Sequence, residues 1–133
     1  MKTQRLEFRY SFVPVKKNSY RTKYGGGMRK KDTVVEFEEQ FEKFVQVARL
    51  KNMDGELAAA RADPQRIGGI ESYIVMVLGG KDRDGDGIQT TLWDCLQNCG
   101  VFKNDKDIVR WGGYKRYDKT LEEDHITIKL DII

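Results

Sequence analysis

The chain has 133 residues, of which 34% are charged and 39% hydrophobic, and its formal net charge is +3. This length predicts one domain, residues 1–133, with a modest core. The longest apolar run, residues 73–78, is too short to cross a bilayer, so we expect no membrane-spanning segment. The N-terminus lacks the apolar stretch of a signal peptide, and we expect a cytoplasmic protein.

Cysteine and histidine usage argues against a zinc protein. Cys95 and Cys99 are the two cysteines, and His125 is the single histidine. Together they cannot supply the four nitrogen or sulfur ligands of a usual zinc site. We expect both thiols to be reduced and packed on a helix, as is common in cytoplasmic proteins. His125 is expected to be a surface residue of a strand.

Alternating apolar residues predict a first strand, which Pro14 ends. A basic segment follows, because residues 16–31 carry seven lysines and arginines and no acid. It shows no hydrophobic period, and we expect a mobile surface loop. Basic residues interleaved with tyrosines favour DNA binding, although a merely solubilising loop has the same composition. The predicted DNA contacts in this segment are Lys16, Lys17, Tyr20, Arg21, Lys23, Arg29, Lys30 and Lys31.

Helical and strand patterns alternate through the rest of the chain. A phenylalanine stripe predicts a helix over residues 32–51, whereas residues 52–69 give mixed signals. A nearly continuous apolar run predicts a strand at residues 70–78 that is buried on both faces. A second helix is expected from about Gly87 to Gly100, and two strands at residues 108–117 and 125–133. These elements predict an α/β (α+β) fold, in which a mixed four- or five-stranded sheet carries two main helices.

Three aspartates at alternate positions, Asp82, Asp84 and Asp86, lie between the apolar strand and the second helix. Asp105 follows in the next turn. Carboxylates brought together repel one another unless a cation joins them, and oxygen ligands favour a hard divalent metal. Magnesium held by Asp84, Asp86 and Asp105 could activate water and stabilise the attacking and leaving oxygens of a phosphodiester, which favours a catalytic metal site.

Other interpretations of the acidic stretch are less well supported. An EF-hand calcium loop matches its first positions, but Trp93 stands where the bidentate Glu is wanted, and the preceding element is a predicted strand. The aspartates could also be solvated loop residues. No G-x-x-x-x-G-K-[ST] string is present, so we expect no nucleotide cofactor. A second basic and aromatic cluster either extends the DNA surface or packs on the sheet: Trp111, Tyr114, Lys115, Arg116, Tyr117 and Lys119.

Residues 84–105 resemble the signature of RusA-type Holliday junction resolvases, and matching positions are Asp84, Asp86, Asp94, Leu96, Gly100 and Asp105. The stretch Pro14, Asn18 and Tyr20 is similar to a second family motif, which adds Asn18 to the predicted DNA contacts. The resemblance implies a homodimeric, magnesium-dependent endonuclease, with manganese as a possible substitute. Such an enzyme nicks four-way DNA junctions in recombination and repair, in a bacterial or phage-infected cell.

Three positions depart from the family pattern. Gly87 replaces an Asn, Asn104 replaces the first Asp of a pair, and Thr90 replaces a lysine that is held to be catalytic. Losing that lysine removes a cation able to stabilise charge at phosphorus. The candidate replacements are Lys81, Lys103 and Lys106, of which Lys103 is assigned a catalytic role. The alternative function is a branched-DNA-binding protein of this fold whose cleavage is weakened or lost.

Overall fold

A computed structural model describes residues 3–15, 20–22, 28–30 and 32–133, without the side chains of residues 20–22 and 28–30. The main sheet has four strands in the order β1–β6–β4–β5. Strand β1 pairs antiparallel with β6, β6 pairs antiparallel with β4, and β4 pairs parallel with β5. The bounds are β1 Gln4–Tyr10, β4 Ile70–Leu78, β5 Ile108–Tyr117 and β6 Asp124–Ile132.

A second, two-stranded sheet joins β2 (Tyr20–Thr22) to β3 (Met28–Lys30) in antiparallel pairing. Both strands fall in the basic segment that was expected to be an irregular loop, so that expectation is wrong for these two stretches. Neither strand shows a hydrophobic period in the sequence, so the sequence pattern did not reveal them.

Three α-helices accompany the sheet: α1 Asp32–Ala48, α2 Asp54–Arg61 and α3 Gly85–Asn98. The mixed sheet and helices confirm the predicted α+β class. Helices α1 and α3 are the two that the sequence predicts, and α2 lies in the stretch that gave mixed signals. No helix in the described ranges is long and apolar enough to cross a membrane.

The helices pack on one face of the main sheet, and the core lies between the two layers. In both β4 and β6, the even-numbered residues are buried and the odd-numbered residues are partly or fully exposed. On β1, Phe8 packs edge-on against Phe41 of α1, with ring centroids 5.6 Å apart. Because Tyr73 of β4 is 44% exposed, the prediction that this strand is buried on both faces is wrong.

Strand β5 forms one edge of the sheet and is its most exposed strand. Ile108 is buried, and the nine residues that follow are all exposed. The parallel pairing aligns Ile108 with Ile70 at one end of β4 and Tyr117 with Leu78 at the other. Helix α3 makes the crossover between these two parallel strands, so it returns the chain from one end of the pair to the other.

Candidate active site

The acidic loop, residues 79–86, connects the end of β4 to the start of α3. Helix α3 begins at Gly85, and Asp84 is its N-cap, with its side chain accepting a hydrogen bond from the Asp86 N–H at 3.2 Å. A carboxylate at this end of a helix is favourable because the helix dipole and the unpaired N–H groups attract negative charge. The sequence therefore places Asp84 and Asp86 at the helix N-terminus, as predicted.

A buried carboxylate, Asp124 of β6, anchors the acidic loop to the sheet. Asp124 has no exposed surface, and it accepts hydrogen bonds from the N–H groups of Val13 at 2.8 Å and Gly79 at 3.1 Å. It also forms an ion pair with the guanidinium of Arg83, whose side chain is 12% exposed and lies over the ring of Phe12. Arg83 stands between Asp82 and Asp84, so this ion pair fixes the position of the aspartates.

Lys115 supplies a cation to the acidic loop, a role that the sequence did not assign to it. Its Nζ donates hydrogen bonds to Asp82 Oδ1 and to the backbone oxygen of Arg83, each at 2.9 Å. Lys115 reaches the loop because β5 pairs parallel with β4 and aligns it with Met76, two residues before the end of β4. Its place in a basic, aromatic cluster was a weak signal, because sequence shows neither the strand direction nor the register.

A groove of about 260 Å³ runs between the first turns of α3 and the edge strand β5. Asp86 and Gln89 line it from the helix, and Lys115 lies on the strand side. Its floor includes Gly112 and Gly113, so the strand backbone is open to the groove. Glycine is required at position 113, because its φ of +133° is left-handed.

Aromatic side chains flank the same groove. Trp111 and Tyr114 of β5 line it, and they are 59% and 55% exposed. Trp111 packs edge-to-face on Trp93 of α3 with ring centroids 5.9 Å apart, and the Trp93 indole N–H donates to Ser72 Oγ at 3.0 Å. Trp111 thus packs against α3, as the packing interpretation predicts, and the extension of a DNA surface by this cluster stays a prediction.

Asp105 lies at the opposite end of the β4–β5 pair. It opens the 3-10 turn Asp105–Asp107, and its N–H donates to Gln97 Oε1 at 3.0 Å. Gln97 follows Asp86 by eleven positions on α3, which is roughly 16 Å along the helix axis at 1.5 Å per residue. Within one chain, the structure therefore does not bring Asp105 together with Asp84 and Asp86. Lys103 and Lys106 lie beside Asp105, away from the acidic loop.

The two departures from the family pattern on α3 both have local explanations. Thr90 donates a hydrogen bond from its hydroxyl to the backbone oxygen of Asp86 at 2.8 Å, one helical turn back. That hydroxyl satisfies the helix backbone and carries no charge. At Gly87, an added Cβ would lie 2.1 Å from Cγ1 of the buried residue Val15. An asparagine there would clash unless Val15 moved, so this packing requires a glycine.

The predicted DNA contacts are only partly within the described residues. Tyr20 and Arg21 lie on β2, and Arg29 and Lys30 lie on β3. The remaining predicted contacts, Lys16, Lys17, Asn18, Lys23 and Lys31, lie outside the described residues. His125 is half-buried on β6 and its Nε2 lies 2.9 Å from Glu7 Oε1 on β1, which agrees with the expected strand position.

The fit of one chain to a magnesium site is partial. Asp86 and Asp105 carboxylates have no hydrogen-bond or ion-pair partner among the described residues, whereas Lys115 neutralises Asp82. No three acidic, histidine or cysteine side chains in the described part of the chain form a group able to hold a metal ion. Magnesium bonds to oxygen at about 2.0–2.1 Å, so one ion cannot contact both ends of α3. Within one chain, the candidate ligands at the acidic loop are therefore Asp84 and Asp86, without Asp105.

Comparison with protein-family models and with curated proteins finds no match for this chain. The resemblance of residues 84–105 to junction resolvases therefore stays a prediction.

Proposed function

We propose that this protein is a structure-specific endodeoxyribonuclease that acts on four-way or branched DNA and uses magnesium. The observation that carries the proposal is the groove beside the acidic loop. There, the exposed carboxylate of Asp86 lies in one groove with Lys115 and the exposed ring of Trp111. Carboxylates alone would repel a phosphate backbone, so their presence in a groove with DNA-binding character favours cleavage chemistry.

The strand side of the groove has the chemistry of a nucleic-acid surface. Trp111 presents an exposed ring on which a base can stack, at about 1–3 kcal/mol per base. Lys115 provides a cation for a phosphate. When a four-way junction opens at its branch point, the base pairs there lose a stacking neighbour and expose their faces, whereas continuous duplex DNA stays stacked. A groove that combines an exposed aromatic ring with one lysine thus suits an opened branch point better than a duplex.

The chain's own residues divide the work between them. Magnesium would supply the charge that activates water and stabilises the phosphodiester oxygens. Asp84 and Asp86 are the candidate ligands in one chain, and the carboxylate of Asp86 is the one that lines the groove. Lys115 holds Asp82 in place and is the cation that lines the groove. It therefore takes the role predicted for Lys103, which is to stabilise charge at phosphorus.

The test is cleavage of a labelled four-way junction with and without magnesium. Asp86→Asn should lower the single-turnover rate about a hundredfold to a thousandfold, the usual cost of removing one electrostatic group at a reacting centre. Junction binding should persist or tighten, since a negative charge near phosphates is lost. Glu56→Gln is the matched control, because Glu56 is an exposed acid on α2, at a distance from the groove. Undiminished cleavage by Asp86→Asn would refute the assignment.

The second candidate is a branched-DNA-binding protein with weakened or lost cleavage. Two observations favour it: Thr90 carries no cation, and Asp105 lies at the far end of α3 from the acidic loop. Under this alternative the wild-type protein binds the junction at micromolar concentration or better, and the DNA stays intact in magnesium and in manganese. The same gel therefore distinguishes the two functions.

A further inference from the structure

We infer that the open face of the main sheet binds single-stranded DNA, with bases stacked on Tyr73 and Tyr114. The open face is the one turned away from the helices, and it carries the odd-numbered residues of β1, β4 and β6. It is a second surface, on the other side of the sheet from the groove of the candidate active site. The choice of DNA rests on the proposed function, whereas the binding surface stands on the sheet itself.

The pairing of β5 with β4 shows which side chains of β5 share the open face. Residues aligned across neighbouring strands project from the same face of a sheet. Tyr114 is aligned with Val75, so its side chain projects from the open face although the residue also borders the groove. Arg116 follows it by two positions and projects the same way. Arg110 belongs to this face as well, because it forms an ion pair with Glu71.

Two exposed tyrosine rings are neighbours on this face. Tyr73 is 44% exposed and Tyr114 is 55% exposed. Tyr73 is aligned with Gly112, two positions before Tyr114. The two tyrosines are therefore roughly 8 Å apart, from a strand spacing of about 4.8 Å and a rise of about 3.3 Å per residue. Gly112 has no side chain to cover the ring of Tyr73, since even an added Cβ would lie 3.6 Å from its Cδ2. The pair offers two adjacent surfaces on which successive bases can stack.

Cations surround the two rings. Lys129 of β6 is aligned with Tyr73, and it is exposed with no ion-pair partner among the described residues. Arg110 donates its Nε to Glu71, and no described residue accepts from its two terminal nitrogens. The ion pair thus holds the guanidinium in place and leaves its outer edge available for a phosphate. The rings can bind bases while these two cations bind the backbone of the same strand.

The chemistry of this face favours a single strand over a duplex. Within a duplex each base is covered by its stacking neighbours, so exposed rings would find no base to contact, whereas a single strand offers both bases and phosphates. Cations outnumber acids by five to three at the open-face positions of the four strands: Arg5, Arg9, Arg110, Arg116 and Lys129 against Glu7, Glu71 and Asp131. Further acids, Glu122 and Glu123, lie near Arg9 and Arg116. We therefore expect the phosphates at Lys129 and Arg110.

The experiment measures the binding of a labelled oligothymidylate of about ten nucleotides, a length within the usual site sizes, by fluorescence anisotropy. EDTA is present throughout, so that metal-dependent cleavage plays no part. Tyr73→Leu should weaken binding about tenfold, because it removes one stacking ring and keeps an apolar side chain. Tyr117→Leu is the matched control and should change little. Tyr117 is 42% exposed on the adjacent strand, but it is aligned with the buried residue Leu78 and so belongs to the opposite face.

The phosphate contact has its own readout in the salt dependence of binding. Each phosphate of a single strand that is neutralised contributes a slope of about 0.7 in the logarithm of affinity against the logarithm of salt concentration. Lys129→Ala should flatten the slope by about that amount. Lys43→Ala is the control, because Lys43 is an exposed lysine on α1, on the helix side of the sheet. Equal slopes for the two variants would contradict a phosphate at Lys129.

Each result has one meaning. Weaker binding by Tyr73→Leu and wild-type binding by Tyr117→Leu support the open face. Unchanged binding by Tyr73→Leu overturns it, and so does a loss confined to Trp111→Leu, which would place the strand in the groove. Tighter binding of an oligouridylate of the same length overturns the choice of DNA. A wild-type protein that cuts the four-way junction but does not bind the oligothymidylate overturns this inference alone. One that binds it through Tyr73 but cuts nothing refutes the nuclease and keeps the surface.

Discussion

Asp124 should contribute more to stability than any other acid near the candidate site. It is fully buried, two backbone N–H groups donate to it, and it is paired with Arg83. Asp124→Ala leaves those two N–H groups without an acceptor and leaves the guanidinium without its counter-charge. Breaking a buried ion pair from one side costs about 3–5 kcal/mol. That is a large fraction of the 5–15 kcal/mol typical of a small domain.

Arg83→Met should cost less than Asp124→Ala, although both variants break the same ion pair. The carboxylate of Asp124 keeps its two backbone donors in Arg83→Met. Nε and Nη1 of Arg83 are buried without a hydrogen-bond partner, so removing them relieves part of the loss. Methionine also keeps apolar contact with the ring of Phe12. The expected cost is about 1.5–3 kcal/mol, the range for a hydrogen bond to a charged group, because the two backbone donors still stabilise the buried carboxylate.

The measurement is urea unfolding of each variant, with the free energy extrapolated to water. Asp124→Asn is the control for shape, because it keeps the side-chain volume and one acceptor oxygen, and its cost should lie between the other two. If Arg83→Met destabilises the protein as much as Asp124→Ala, the reasoning fails. The ion pair itself, and not the backbone N–H groups, would then hold the acidic loop.

Three other measurements follow from single contacts. Lys115→Ala should lower single-turnover junction cleavage about a hundredfold, and Lys115→Arg should lose less, because the arginine keeps the charge beside the acidic loop. Burial, reinforced by the charge of Glu42, raises the pKa of the Cys99 thiol to about 11, so its alkylation at pH 8 should be slow and Glu42→Gln should speed it. The hydrogen bond from His125 lowers the pKa of Glu7 below its ordinary 4.5, and this contact stabilises the fold above that value. The stability difference between wild type and His125→Ala should therefore vanish as pH falls through the lowered pKa, which urea unfolding across a pH series would show.

Much of the fold was predictable because hydrophobic periodicity is a local property. The predicted limits of β4 and β5 coincide with the observed Ile70–Leu78 and Ile108–Tyr117. Helix α3 begins two residues before the predicted Gly87, because Asp84 serves as the N-cap. The exposure of one face of β4 was not predictable, since the pattern of one strand does not show whether a second layer covers the sheet.

The candidate site was less predictable because its contacts join distant parts of the chain. Asp124 and Lys115 reach the acidic loop across 41 and 33 positions of sequence, measured from Arg83 and Asp82. Asp105 was expected at the site because it follows the second helix in the next turn. The fourteen-residue helix carries the chain roughly 21 Å away before that turn begins. Closeness in sequence is a poor guide whenever a helix intervenes.

One topological fact accounts for both the missing acid and the cation that sequence did not find. Because β5 runs parallel to β4, its last residues return to the acidic loop and its first residues start at the far end. Lys115 therefore arrives beside Asp82, and Asp105 does not. Had the strands been antiparallel, the chain's own Asp105 would lie near the loop and Lys115 would be distant. Within one chain, this topology brings a lysine to the acidic loop and carries Asp105 away from it.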